Sequence, residues 1–127
     1  MIGYTTLGTN DMGRAAAFYD ALFEAIGAKR FMDFGDSFIC WAAQPGQPAF
    51  CICKPFNGEA ASAGNGSMIA FGAKDKAQVD ALHAKAIELG ASDEGQPGPR
   101  GDNFYAGYFR DLDGNKLNVF CMEHPAA

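Results

Sequence analysis

The chain repeats itself, and that repeat limits the folds open to it. Tyr4-Thr5-Thr6-Leu7-Gly8-Thr9-Asn10-Asp11 aligns with Met68-Ile69-Ala70-Phe71-Gly72-Ala73-Lys74-Asp75 at an offset of 64 residues, matching Gly8 to Gly72 and Asp11 to Asp75. Further on, Gly27-Ala28 meets Gly90-Ala91 at an offset of 63. Each half reads as one helix and about four strands, too little to bury an apolar face alone. Paired halves can bury a common core.

The first half opens with a strand over 2–9. Asn10-Asp11 supplies an N-cap, and Met12, Ala15, Ala16, Tyr19, Leu22, Phe23 and Ile26 recur at helical spacing up to a closing Gly27. Strands follow over 28–34, 37–43 and 48–54, separated by Gly35-Asp36 and Pro45-Gly46. The aperiodic, Gly- and Ala-rich run Asn57–Ser67 reads as the connector, a mobile lip over a pocket. The second half begins with a strand over 68–73. A helix starts at Lys74-Asp75 with Val79, Leu82, Ala86 and Leu89 on one face and Gly90 closing it. A short strand is expected near 91–94, then a turn-rich stretch over 95–101. Strands over 104–110 and 116–122 flank Asp111-Leu112-Asp113-Gly114-Asn115, where Asp-Gly suits a tight turn. The prediction is an α+β chain of two βαβββ modules, about 1–56 and 67–124, joined by a linker at 57–66 as a single 127-residue domain.

Composition narrows the function. The formal charge of -5 gives a nucleic acid or an anionic membrane little to gain. No apolar run reaches the ~20 residues that span a bilayer, and no charged-then-apolar segment opens the chain. A cytoplasmic protein without nucleic-acid or membrane partners is expected. Four cysteines, Cys40, Cys51, Cys53 and Cys121, form no Cys-x-x-Cys pair. Cys51 and Cys53 share one strand face, and all four read as reduced thiols packed as small hydrophobes.

Two segments carry a family resemblance. Leu7-Gly8-Thr9-Asn10-Asp11 runs into Ala17-Phe18-Tyr19, and Arg110-Asp111-Leu112-Asp113-Gly114-Asn115-Lys116-Leu117 lies near the end. With the repeat, they make the whole chain resemble the vicinal oxygen chelate superfamily of glyoxalase I, bleomycin-resistance proteins, fosfomycin-modifying enzymes and extradiol dioxygenases. Gly95-Gln96-Pro97-Gly98-Pro99-Arg100 with Asn103-Phe104-Tyr105 is similar to a bacterial glyoxalase-like subgroup. The resemblance implies curved sheets forming a cleft, a homodimer, and in the metal-dependent members His and Glu ligands on the first and last strands of each module.

The family's ligand positions fall here on Tyr4, Met68, Asn118 and, by repeat offset, Ile52, with Cys51 or Cys53 one residue away. A catalytic divalent metal wants imidazole nitrogen or carboxylate oxygen. A thioether, a neutral amide and a phenol are poor substitutes, and Ile52 offers nothing. His83 reads as helix surface and His124 as tail. No metal cofactor is therefore expected.

The same positions still line the implied cleft. Tyr4, Thr6, Trp41, Phe50, Ile52, Lys54, Met68, Tyr105 and Asn118 are the candidate ligand-binding residues. They make an apolar pocket with few polar groups, although Phe50, Ile52 and Met68 read equally well as core. Lys54 is either solvent-exposed or set for an anion. Arg100 reads as a surface residue within reach of the cleft, and Asp111 and Asp113 read as turn formers. Three functions stay open: a metal-free protein binding a small organic molecule, a metal-dependent lyase or dioxygenase resembling lactoylglutathione lyase, and a metal-free enzyme using Tyr4 or Lys54 as acid or base.

Overall fold

The computed structural model describes residues 1–123, so His124 lies outside the described residues. Two units emerge, Met1–Ala63 and Gly64–Ala127, each with one helix and one four-stranded sheet. The first holds β1 (Tyr4–Gly8), α1 (Met12–Glu24), β2 (Lys29–Asp33), β3 (Phe38–Ala42) and β4 (Ala49–Cys53). The second holds β5 (Ile69–Gly72), α2 (Lys76–Glu88), β6 (Ser92–Pro99), β7 (Phe104–Arg110) and β8 (Lys116–Met122).

The repeat is built into the topology. Strand order is β1-β4-β3-β2 in one sheet and β5-β8-β7-β6 in the other, so both are open. The outer pairs β1/β4 and β5/β8 are parallel, and the remaining pairs are antiparallel. A parallel pair needs a crossover, which α1 and the strands after it supply, as α2 does in the second unit. Both helices start the same way. Asp11 and Asp75 are extended N-caps whose carboxylates accept the backbone N–H of Arg14 at 3.0 Å and of Gln78 at 2.8 Å. The second helix thus begins at Lys76, just past the Lys74-Asp75 pair read as its start.

Each helix buries one face of its own sheet. In the first unit Tyr19 and Phe23 of α1 pack on Trp41 and Phe50, with ring centroids 4.7–5.8 Å apart. In the second, Val79, Leu82 and Ala86 of α2 are fully buried, as are Phe109, Leu117 and Val119 of the sheet. The edge strand β2 is exposed along its whole length.

Two expectations need correction. The turn-rich stretch at 95–101 is mostly strand, because β6 runs to Pro99. It pairs with β7 through two register shifts, between Asp93 and Gly95 and between Gly95 and Gly98. An edge strand tolerates Pro97 and Pro99, whose missing N–H groups cost it no ladder bond on the open side. The linker, read as a mobile lip, is tied back instead. Asn10 receives the Ala61 N–H on its Oδ1 at 2.7 Å and donates from Nδ2 to the Ala61 carbonyl at 3.0 Å.

Candidate functional site

Register decides which side chains share a face, since directly opposed residues point the same way. In the first sheet Thr6, Cys51 and Cys40 are aligned across β1, β4 and β3, and Tyr4 is aligned with Ala49. This set faces away from α1. The other parity, Trp41, Phe50, Ile39 and Ile52, faces α1 and is 1–7% exposed.

Three candidates therefore move out of the site. Phe50 and Trp41 are aromatic core against Tyr19 and Phe23, and Trp41 donates its indole N–H to Asp20 at 2.9 Å. Ile52, with the same parity as Phe50, is 1% exposed. The ligand position placed at Ile52 also shifts by one residue. Ala70 opposes Asn118 in the second sheet, and its repeat partner Thr6 opposes Cys51 in the first, so Cys51 is the counterpart of Asn118.

The helix-free face of the first sheet carries a cavity of about 390 Å³. Tyr4, Phe31, Met32, Phe34, Phe38 and Cys40 wall it, with Ala49 and Gln47 also bordering it. Tyr4 meets Phe38 edge-on at 6.4 Å, and Phe34 meets Phe38 at the same distance. Phe31 reaches this wall because β2 bulges there, the register shifting between Arg30 and Met32. Neither the bulge nor the wall residues outside Tyr4 belonged to the candidate set. The alternation Phe38-Ile39-Cys40-Trp41 was the available signal: with Trp41 against the helix, Phe38 and Cys40 must face the other way.

Thr6 is exposed on this face, and its hydroxyl hydrogen-bonds the Cys53 sulfur. Burial pushes the Cys53 thiol up, against that bond. Cys51 is fully buried, and burial together with its neighbour Cys40 pushes its thiol far above the ordinary range. Lys54, just past β4, is exposed, and its backbone N–H donates to the Ser37 carbonyl.

In the second sheet Ala70, Asn118 and Tyr108 are aligned on the face away from α2. Asn118 is 2% exposed, and its Oδ1 is a buried acceptor with no hydrogen-bond partner among the described residues. Phe104 and Phe120 stack at 5.4 Å on the same parity. Met68, just before β5, is half-exposed. Tyr105 is corrected: it has the opposite parity and donates its hydroxyl to Asp80 of α2 at 2.6 Å. That bond raises the Tyr105 pKa above its usual value. Arg100 closes its own turn, donating to the Gln96 carbonyl at 2.7 Å, and lies over Tyr108.

His83 is also not where the sequence put it. It is 2% exposed rather than on the helix surface, with Nε2 3.2 Å from Asp93 and 3.1 Å from the Tyr108 carbonyl. Gly107 makes room, since a Cβ there would sit 3.0 Å from the imidazole. Asp111 is a turn former as expected, accepting the Asp113 and Asn115 N–H groups at 2.9 Å.

The family model of the Glyoxalase/Bleomycin resistance protein/Dioxygenase superfamily matches residues 1–119. The chain belongs to that superfamily. A glyoxalase/bleomycin resistance protein from Albidiferax ferrireducens T118 is 34% identical, with a TM-score of 0.86 over 97% of this chain and 99% of that one. A hypothetical protein from S. aureus is 24% identical, with a TM-score of 0.72 over 95% of this chain and 92% of that one. Lactoylglutathione lyase from Agrobacterium tumefaciens, 22% identical with a TM-score of 0.69 over 95% and 92%, shares the fold. No curated protein matches the chain.

The donors available do not suit the catalytic metal of the superfamily's enzymes. Asn118 offers one neutral oxygen, Cys51 a buried thiol driven toward its protonated form, Met68 a thioether and Tyr4 a phenol. Among the described residues, no three His, Cys, Asp or Glu side chains are grouped to hold an ion. Nor does any helix have the length and apolar character to cross a membrane.

Proposed function

We propose that the protein binds a small, largely apolar organic molecule against the helix-free face of its first sheet, without a catalytic metal. The observation that carries this reading is the aromatic cavity itself. Its volume of about 390 Å³ suits a small ligand. Its walls are Tyr4, Phe31, Met32, Phe34 and Phe38, with the Tyr4 hydroxyl and the Gln47 amide as the polar groups that orient a guest. Met32 and Phe38 offer adaptable and flat surfaces respectively, which favours aromatic guests. The superfamily's bleomycin-resistance branch makes sequestration the natural role for such a site. A homodimer and a cytoplasmic location belong to the same reading.

Titration with an anilinonaphthalene dye tests it. Saturable fluorescence enhancement is expected, and Phe38→Ala weakens binding roughly 5- to 30-fold, the range for losing one aromatic anchor. Elemental analysis of protein purified without chelator is expected to find far less than one equivalent of nickel, zinc, iron or manganese. A full equivalent, or lactoylglutathione turnover on adding such a metal, overturns the metal-free reading. Sedimentation at micromolar concentration reads the assembly, and a monomer there removes the homodimer from the proposal.

A further inference from the structure

Two of the four cysteines oppose each other on neighbouring strands. Cys40 of β3 and Cys51 of β4 are direct register partners in an antiparallel ladder. Opposed residues there have Cα atoms about 4.5 or 5.5 Å apart, and both spacings fall within the ~4.4–6.8 Å that a disulfide spans. Their side chains meet on the helix-free face, where the Cys51 thiol donates to the Cys40 sulfur at 2.7 Å. We propose that Cys40 and Cys51 are an oxidative modification site that closes to an intrachain disulfide.

The surroundings define how the site works. Both cysteines are free, and they pack with Ala49 and Phe38. Cys40 borders the cavity of about 390 Å³, which gives a small peroxide a route to its sulfur, while Cys51 lies fully buried behind it. Cys40 is thus the attacking thiol and Cys51 the resolving one. The Cys40 sulfur, its proton lost to solvent, attacks one peroxide oxygen. The O–O bond breaks, hydroxide leaves and recovers that proton as water, and a sulfenic acid remains. The Cys51 sulfur then attacks the sulfenic sulfur, the S–O bond breaks, and the hydroxyl leaves as a second water with the Cys51 proton. Two thiols are oxidised by two electrons and one hydrogen peroxide is reduced to two waters. Burial restricts access to both sulfurs, Cys40 being 2% exposed, so the reaction is slow. It equally shields the product from thiol exchange.

The other thiols do not compete. Cys53 opposes Phe38 and is therefore diagonal to Cys40, about 7–8 Å away and beyond that span, while from Cys51 it stands about 6.6–6.8 Å along the strand, at the span's upper limit. Cys121 belongs to β8 of the second sheet.

The full chain carrying Cys53→Ser and Cys121→Ser retains only this pair. After hydrogen peroxide, its thiol titre in denaturant is expected to fall from two to zero without a disulfide between chains. The mass falls by two hydrogens, and dithiothreitol restores both. In the wild-type chain, peptide mapping is expected to find Cys40 joined to Cys51, with Tm raised on the order of 10 °C because the bond constrains the unfolded chain. Two thiols still titrating after treatment, a cross-link through Cys53, or Cys40 driven to sulfinic acid overturns the proposal. The wild-type map decides alone should the double variant not fold.

Discussion

Asp20 shows how a half-exposed carboxylate can matter to the core. Its Oδ1 accepts the indole N–H of Trp41, which is 1% exposed, and its other oxygen pairs with Arg30 at 2.6 Å. Asp20→Ala leaves that indole N–H buried without an acceptor, so a loss of about 1–3 kcal/mol is expected in urea unfolding. Asp20→Asn keeps an oxygen there and costs less. The pair also has a pH signature. The Arg30 hydrogen bond, helped by the Trp41 N–H, holds the Asp20 carboxyl below its usual value. A depressed folded-state pKa gives stability that is present above the unfolded pKa of ~3.9 and lost as pH falls through the lower folded value. Unfolding midpoints measured from about pH 5 down to 2 should therefore drop more steeply for wild type than for Asp20→Asn. Asn118 presents the converse case. Its Oδ1 is buried and has no protein hydrogen-bond partner among the described residues. Asn118→Leu is expected to raise stability by about 1 kcal/mol in the same assay, since a similar volume is kept and an unpaired acceptor removed. A fall in stability beyond that amount would mean that the Asn118 side chain is holding the sheet. At this scale the sequence was half legible. Period-2 alternation grouped Phe50 with Ile52 correctly, but it says which residues share a face and not which face meets the helix. That was decided by the bulk of Tyr19 and Phe23, which needed Trp41 and Phe50 as partners.

The elements were most legible where chemistry is local. Asp11 and Asp75 marked both helix starts because a carboxylate one turn ahead of an apolar stripe satisfies an otherwise unpaired N–H. Asp11→Ala and Asp75→Ala are each expected to cost about 1 kcal/mol, and the Asn variants much less. Their sites lie in separate units, so the double variant should show the sum within ~0.5 kcal/mol in chemical denaturation. A clear excess over the sum would mean that the caps are coupled beyond their own helices. β6 was least legible, because Gly and Pro at 95–99 signal turns locally while the edge position and two bulges make a strand of them. His83 followed from that miss. Its burial depends on Asp93, placed by the first bulge, and on the absence of a side chain at Gly107.

For the whole chain, the repeat anticipated topology better than site. Two identical strand orders follow from it, yet the offset drifts between the halves, so the position read as Ile52 is structurally Cys51. The corrected set of Tyr4, Cys51, Met68 and Asn118 keeps the same consequence, since it contains neither imidazole nor carboxylate. Thermal unfolding with additives turns this into a measurement. A ligand that binds only the folded chain stabilises it by about 2.7 kcal/mol at a hundredfold excess over Kd. In a chain of 127 residues, that raises Tm by about 10 °C. Nickel, zinc, iron(II) and manganese, each at 100 µM, should then shift Tm by less than about 1 °C, because Kd values above the added concentration contribute almost nothing. Small planar aromatic compounds that fit the cavity bounded by Tyr4, Phe31 and Phe38 should raise it, and Phe38→Ala should blunt the response. A metal-induced rise that survives Phe38→Ala, with no response to any aromatic compound, would move the chemistry back to the superfamily's metal site and away from the aromatic wall.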